Sequence, residues 1–335
     1  MPFRFISKFF KSKDPIIIEP YGGFANDKFI FSRARVLENE QVEQSEDDGI
    51  FKNIWNTYKR LESDEVNNEC VTVEHGTYSK SLPSDEEGYV DIKLPLSNFT
   101  KSKQTNWIPL TYRLKHSKHQ FVTSTDILKP GTGVQFGVIS DMDDTVIHTG
   151  VSSILKWRLL VNSISKHAYQ RKPLEGVQEF YQALHIGKEL FNSNPFFYVS
   201  NSPWNFYEYL SVFLKHNQFP PGPLMLRDFG LKTKKKSKLL EDGDKYKTVV
   251  RILEAYPKMK FVLIGDSAEF DLDIYLLIAR NFPNRIHSIF IRSVKNKKKV
   301  KRVKKIIEQQ TDIDVRLIKN SKEGMKYARR LGLIK

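Results

Sequence analysis

The sequence from about residue 131 onward repeats one unit, in which a short apolar run is followed by polar residues and then by a longer run with helical periodicity. The apolar runs are Val134–Ser140, Phe196–Ser200, Pro223–Leu226, Lys260–Ile264 and Ile286–Ile291. The helical patterns are Leu174–Phe191, Trp204–His216 and Lys245–Tyr256. Strands that alternate with helices are joined by crossover connections, which favour a parallel sheet. The pattern therefore predicts an α/β fold for residues 131–335.

Residues 15–130 have a different texture. Short alternating apolar runs, such as KFIFSRARVL and GYVDIKLPL, are separated by glycine, proline, asparagine and serine. This spacing is typical of antiparallel strands. We predict a small β-sandwich domain here, interrupted by one helix at Gly49–Leu61, where the apolar residues share a face. A basic N-terminal segment, residues 1–14, precedes this domain.

The composition argues against a membrane-spanning or disulfide-linked protein. The chain has 335 residues, enough for two domains. It contains no uninterrupted apolar stretch near the roughly 18 residues that cross a bilayer. Cys70 is the single cysteine, so no intrachain disulfide can form, as in proteins of reducing compartments. Residues 1–13 scatter basic residues among apolar ones, unlike a secretory signal, and we expect a cytoplasmic protein.

The charge predicts a polyanionic partner. The formal net charge is +15, which suits nucleic acid, an anionic membrane face or a phosphorylated substrate, and charge alone does not choose among them. The excess is partly local, in Lys232–Lys238 and Arg292–Lys305. Solvated loops and a lysine-rich helix face are the alternative explanation. Phenylalanines also alternate with basic residues over Phe3–Lys13, which predicts peripheral contact with an anionic membrane, unless this terminus has no role.

Acidic residues follow two of the predicted strands. Asp141 and Asp143 come directly after Val134–Ser140, whereas Asp266 and Asp271 follow the fourth apolar run. The carboxyl ends of strands in an open α/β sheet are where ligands bind. Carboxylates at a buried strand end cost desolvation free energy unless a cation or hydrogen-bond donors are close. We therefore predict a shared oxygen-ligand site for a magnesium ion (Mg2+). A turn or helix cap built from aspartate is the alternative for an isolated DxD motif.

Two further groups suit an anionic ligand. Ser200 and Asn201 follow the strand Phe196–Ser200 and precede a helix, where hydroxyl and backbone N–H groups can hold phosphate oxygens or cap the helix. Lys245 begins the helix before the fourth strand. The helix dipole disfavours a lysine there, so its side chain either points into solvent or has an anionic partner. Lys247 is a rival for that role.

Together these motifs resemble the four-motif signature of haloacid dehalogenase superfamily phosphatases. They are DxDxT at Asp141–Thr145, a strand ending in Ser200, then Lys245, and Gly265–Ser267 with Asp271 behind it. From about residue 121 onward the sequence is similar to the actin-patch-associated phosphatidate phosphatase family and its bacterial relatives. The matching phrases are GVISDMDDTVIHTG, YVSNSPW, LRD, FVLIGDSAEFDLDIY and IFIRSV.

One position departs from the family pattern. The family has a His-Lys pair before the strand that ends in GDS, and counting back from Tyr256-Pro257 places the lysine at Lys245. The preceding residue here is Asp244. This difference keeps the lysine but weakens its alignment, so that Lys247 stays open.

The resemblance implies a Rossmann-like haloacid dehalogenase core with little or no cap, because only residues 146–196 separate the first two motifs. It implies that Asp141 is the nucleophile that forms an aspartyl-phosphate, and that Asp143 is the general acid and base. Magnesium would be held by Asp141, Asp266 and the main-chain oxygen of Asp143. Asp271 would be an outer ligand or would orient the others.

The remaining implied roles concern the phosphate. Ser200 and Lys245 would stabilise charge on the transferring phosphoryl oxygens, and Thr145 would fix the loop around the nucleophile. Asn201, Ser202 and Arg292 are candidates for phosphate contact or for structural hydrogen bonds.

The resemblance thus implies a magnesium-dependent phosphomonoester hydrolase that converts phosphatidate to diacylglycerol and phosphate. An open site suits a bulky substrate. The motifs do not select a lipid over another phosphorylated molecule. A phosphatase for nucleic-acid ends is one alternative. A non-catalytic protein that binds lipid or nucleic acid is another.

Overall fold

The computed structural model describes residues 16–38, 66–96, 102–116, 119–142, 145–146, 173–188, 193–227 and 240–335. The basic segment 1–14, the helix predicted at Gly49–Leu61 and the lysine run Lys232–Lys238 lie outside these ranges. Within the described ranges, no helix combines the length and apolar character that crossing a bilayer would require.

Seven strands in the first part form one sheet in the order β4-β3-β6-β7-β1-β2-β5. Their bounds are β1 Ile16–Ala25, β2 Phe29–Glu38, β3 Cys70–His75, β4 Tyr78–Pro83, β5 Tyr89–Pro95, β6 Asn106–His116 and β7 His119–Lys129. The neighbours are antiparallel except β1 and β7, which run parallel with Gly23 opposite Ile127. The predicted strands are therefore present, in one mixed sheet.

The predicted β-sandwich is wrong. A sandwich needs two sheets face to face, whereas these strands form a single sheet whose edge strands β4 and β5 lie against each other, as in a nearly closed barrel. Its interior is filled by one apolar cluster that includes Val71, Ile92, Leu110 and Tyr112. Strands of a sandwich and of a barrel both alternate buried and exposed residues, so the pattern alone does not separate them.

Six strands in the second part form a parallel sheet in the order β10-β9-β8-β11-β12-β13. Their bounds are β8 Gly137–Asp141, β9 Phe196–Pro203, β10 Leu224–Arg227, β11 Phe261–Asp266, β12 Ile286–Arg292 and β13 Val315–Ile318. The prediction of an α/β fold with a parallel sheet is confirmed. In chain order, strands β8 to β10 lie progressively closer to one edge of the sheet, and strands β11 to β13 progressively closer to the other. The strand order therefore reverses between β8 and β11. Ligands of open α/β sheets bind at the carboxyl ends of the strands beside such a switch point.

Helices cover both faces of the parallel sheet. The helices of eight residues or more in the described ranges are α1 Val177–Ile186, α2 Tyr207–His216, α3 Asp244–Ala255, α4 Asp271–Asn281, α5 Lys297–Glu308 and α6 Ser321–Arg330. One apolar cluster packs α1 and α2 on one face, and a second packs α3 and α4 on the other. Strands β8 and β11 are consequently buried along their whole length, which explains their continuous apolar sequence.

The two sheets are in direct contact through β1. The rings of Tyr21 and Trp204 stack with centroids 4.7 Å apart, and Asn26 Nδ2 donates a hydrogen bond to the Ala255 carbonyl oxygen at 3.1 Å. Phe24 belongs to the same apolar cluster as the second face of the parallel sheet. The seven-stranded sheet therefore braces α3 and the segment that follows β9.

Candidate active site

Asp141 is the last residue of β8, at the centre of the parallel sheet, and its side chain is fully buried. In the ladder it lies opposite Val199 of β9. Thr145 Oγ1 donates a hydrogen bond to Asp141 Oδ2 at 3.3 Å. Burying a carboxylate is costly unless it is paired, so its neighbours are informative.

The structure brings Asp266 and Asp271 to Asp141. Asp266 ends β11, Asp271 begins α4, and both are buried. One carboxylate oxygen from each of the three aspartates lies within 4.8 Å of the others. Parallel pairing of β8 with β11 accounts for this, because it aligns the two carboxyl ends. Residues far apart in the sequence thus form one acidic cluster.

Lys245 supplies the positive charge for this cluster. Its Nζ donates hydrogen bonds to Asp141 Oδ1 at 2.7 Å and to Asp271 Oδ1 at 2.6 Å. Burial alone would lower the pKa of Lys245, but Asp141 and Asp271 outweigh it, and the pKa lies well above its ordinary value. The two carboxylates therefore stabilise the charged form of the Lys245 ammonium group. Lys247 is exposed, so Lys245 is the lysine that reaches the site.

Asp266 has an oxygen that suits a cation. Its Oδ1 accepts hydrogen bonds from the backbone N–H groups of Ala268 and Glu269. Its buried Oδ2 has no hydrogen-bond partner among the described residues. Burial, with repulsion from Asp271, raises the pKa of Asp266 to about 7. A cluster of three buried aspartates, one with a free oxygen, has the donor set that magnesium prefers.

This pKa predicts how the metal-free protein responds to pH. The folded protein holds a proton on Asp266 up to about pH 7, whereas the unfolded chain loses it near 3.8. Raising the pH across this window therefore removes stability that protonated Asp266 provides. We expect the thermal midpoint of the metal-free protein to fall, relative to that of Asp266→Asn, between about pH 5 and pH 7.5. Parallel pH profiles for the two proteins would contradict this.

The predicted phosphate-binding residues lie at the same sheet edge. Ser200 follows Val199 in β9 and is buried, and its Oγ accepts a hydrogen bond from the backbone N–H of Ser202 at 3.0 Å. Asn201 Nδ2 instead donates to Glu269 Oε2 at 2.8 Å. Ser200 therefore supports the end of β9, and Asn201 ties that end of the strand to the segment after β11.

Glu269 was missed by the sequence analysis. Its Oε2 accepts the hydrogen bond from Asn201 and lies 3.6 Å from Lys245 Nζ. It belongs to the phrase GDSAEFD, but nothing in the sequence separates it from an ordinary solvent-exposed glutamate.

Two further candidates from the sequence are Arg292 and Asp143. Arg292 donates a long hydrogen bond to Ser321 at 3.5 Å, and Asp143 lies outside the described residues.

Part of the chain is similar in sequence to known proteins. Residues 136–293 match the family model described as Phosphatidate phosphatase APP1, catalytic domain. The chain is 37% identical over 160 residues to Phosphatidate phosphatase APP1 of Saccharomyces cerevisiae, which covers 48% of this chain and 26% of that protein. It is 34% identical over 167 residues to an uncharacterized protein of Schizosaccharomyces pombe, covering 47% of this chain and 25% of that protein.

The chain thus spans about a quarter of the length of these curated relatives. Among solved structures, a β-glucuronidase of Parabacteroides merdae is 10% identical with a TM-score of 0.29, covering 89% of this chain and 38% of that one. A likeness this low carries no argument about fold or function. The matched segment contains Asp141, Lys245, Asp266 and Asp271. Through residues 136–293, this chain is similar to the catalytic domain of phosphatidate phosphatase APP1.

Proposed function

We propose that this chain is a magnesium-dependent phosphomonoester hydrolase that works through an aspartyl-phosphate on Asp141. The observation that carries the proposal is the position of the Asp141 carboxylate. This carboxylate is buried at the end of β8 and accepts a hydrogen bond from Lys245 Nζ at 2.7 Å. It lies beside the carboxylates of Asp266 and Asp271. A carboxylate held in one orientation by a charged partner is suited to attack a phosphorus atom.

The reaction would proceed in two displacements. In the first, an Asp141 carboxylate oxygen bonds to phosphorus, the bond from phosphorus to the ester oxygen breaks, and that oxygen takes a proton as the alcohol leaves. In the second, water attacks the same phosphorus, loses a proton, and releases inorganic phosphate with the free carboxylate. Splitting one displacement into two lowers the barrier of each.

Two residues of the chain serve these steps. Lys245 stays charged, so it orients Asp141 and offsets negative charge at the phosphoryl group. Asp143, by its resemblance to the family motif, would give the proton to the leaving oxygen and then take one from water.

The aspartates fit a magnesium ion. Asp141 and Asp266 would hold it with the main-chain oxygen of Asp143, and Asp271 would support them. When bound, the ion neutralises phosphate charge and polarises the phosphoryl oxygens. Asp266 Oδ2 is the best candidate ligand, because it is buried and has no other partner among the described residues.

Phosphatidate is the proposed substrate, and the name of the yeast relative supports it. An experiment decides the substrate class. Purified protein, with and without magnesium, is given phosphatidate vesicles, a soluble aryl phosphate and an oligonucleotide with a terminal phosphate. We expect magnesium-dependent phosphate release, fastest from phosphatidate. Release from the oligonucleotide alone would make the chain a nucleic-acid phosphatase, and no release from any substrate would favour a binding protein.

Asp143→Asn tests the proton transfer. We expect turnover to fall by about 10²-fold or more, because general acid and base catalysis typically contributes this much. The aspartyl-phosphate should form more slowly but still be detectable after acid quenching. If turnover of a substrate with a poor leaving group is unchanged, Asp143 does not carry the proton.

Asp266→Ala and Asp271→Ala rank the metal ligands. Both oxygens of Asp271 already accept hydrogen bonds, from Lys245 Nζ and from the backbone N–H of Asp266. Asp266 retains an unpartnered oxygen. We therefore expect Asp266→Ala to raise the magnesium concentration for half-maximal activity more than Asp271→Ala does. Titrating magnesium against activity measures both, and the reverse order would make Asp271 the primary ligand.

A further inference from the structure

Helix α5 carries an unusual concentration of positive charge. Its twelve residues include seven lysines and arginines and a single acid, Glu308. The basic side chains are exposed, whereas Val303 is buried against the sheet. The helix is therefore anchored by a narrow apolar stripe and presents a cationic surface outward.

The position of α5 places this charge beside the site. Strand β12 runs parallel to β11, so the segment that leaves β12 and begins α5 is at the same sheet edge as Asp266. Lys299 Nζ donates a hydrogen bond to the Ala268 carbonyl oxygen, and Arg302 forms an ion pair with Asp273. Helix α5 thus contacts both the segment between Asp266 and Asp271 and the first turn of α4.

An exposed aromatic side chain completes this surface. Phe270 immediately precedes Asp271 and is 61% exposed, the highest value among the large exposed hydrophobic residues of the described ranges. The Arg302 guanidinium lies over its ring, 5.3 Å from the centroid. A large apolar side chain beside clustered cations is the combination that enters the headgroup region of a membrane.

The lysines at the start of α5 oppose local stability. Lys297, Lys298 and Lys299 occupy its first turn, which contains no acidic residue. Positive charge there is repelled by the helix dipole, although the Asn296 side chain caps the same turn. Binding of an anionic partner would relieve this repulsion. These lysines are therefore better suited to recognising such a partner than to stabilising the helix.

We propose that α5 and Phe270 form a docking surface for an anionic lipid bilayer. The cations contact lipid phosphates, Phe270 enters the headgroup region, and the catalytic edge of the parallel sheet faces the membrane. The inference rests on the proposed function in one respect, because a lipid phosphomonoester is then presented where Asp141 can reach it. The docking surface turns the active site toward that substrate.

Direct binding tests this surface without turnover. Full-length protein is sedimented with phosphatidylcholine vesicles with or without phosphatidylserine, which carries no phosphomonoester. The variant K298Q/K301Q/K305Q removes three charges from one exposed face of α5. Its matched control, K215Q/K258Q/K260Q, removes three exposed charges near the opposite edge of the sheet, at the end of α2 and before β11.

Each lysine near an anionic surface contributes about a factor of five to the binding constant. We expect K298Q/K301Q/K305Q to bind anionic vesicles about a hundredfold more weakly, and the control less than about fivefold more weakly. Phe270→Ala should also weaken binding, more than Trp107→Ala, which truncates an exposed aromatic on β6. No variant should have a thermal midpoint below that of the wild type.

Three results would overturn the proposal. They are equal loss in the two triple variants, no preference of the wild type for anionic vesicles, and tighter binding to a single-stranded oligonucleotide that K298Q/K301Q/K305Q abolishes. The last would assign the surface to nucleic acid. Turnover of a soluble aryl phosphate is measured separately. Its absence alongside α5-specific vesicle binding would refute the proposed function and leave the docking surface standing.

Discussion

Replacing Asp141 with asparagine is expected to reduce phosphate release by about 10⁴-fold or more, as loss of a covalent nucleophile does in other enzymes. The amide has nearly the same shape, and its oxygen can still accept the hydrogen bond that Lys245 donates at 2.7 Å. It cannot form the bond to phosphorus. The measurement is initial rate at saturating magnesium, with the thermal midpoint as the check on folding.

Covalent trapping makes this result specific. Acid quenching during turnover should leave phosphate attached to the wild-type chain and none attached to Asp141→Asn. A variant that folds normally and turns over at the wild-type rate would eliminate the covalent mechanism. Loss of activity with phosphate still attached would move the nucleophile to another residue.

Lys245→Ala is expected to lower the free energy of unfolding by about 3–5 kcal/mol, the usual effect of removing one partner from a buried ion pair. Lys245 has its ammonium group between Asp141 and Asp271, and all three side chains are almost fully buried. Its loss leaves two carboxylates in a low-dielectric site without their cation. Denaturant unfolding in the absence of magnesium measures the change.

The chain contains its own control for this experiment. Lys247 lies on the same helix but is exposed, so Lys247→Ala should change stability by no more than about 0.5 kcal/mol. Adding Asp141→Asn and Asp271→Asn to Lys245→Ala should restore part of the loss, because the buried charges are then gone. Similar stabilities for the two single lysine variants would show that the ion-pair cluster contributes little.

The sequence predicted the parallel sheet well because its strands are buried on both faces. Continuous apolar runs between amphipathic helices have few alternative folds, and predicted strands such as Phe196–Ser200 agree with β9 apart from its last residues. The short strand β13 was not predicted. In the first part, alternation identified strands but not their neighbours. The parallel pair of β1 and β7 joins segments about a hundred residues apart, and no local pattern specifies it.

The acidic cluster was predictable for a related reason. Asp141 and Asp266 each end a strand, and parallel pairing puts such ends together. The choice of Lys245 over Lys247 required the structure, because both residues lie in the first turn of α3 and only burial separates them. Glu269 required it as well, since its contacts with Asn201 and Lys245 depend on how the segment after β11 meets the end of β9 and the start of α3.

The division of the site among distant segments also sets when it can exist during synthesis. Asp141 and Lys245 are separated by 104 positions in the chain, and Asp266 and Asp271 emerge from the ribosome later still. A nascent chain that has folded only its first sheet holds none of the cluster. Until β11 pairs with β8, Asp141 lacks its neighbours Asp266 and Asp271. The proposed magnesium ion would therefore bind only chains that have completed the central sheet, and by mass action it would favour them over every earlier intermediate.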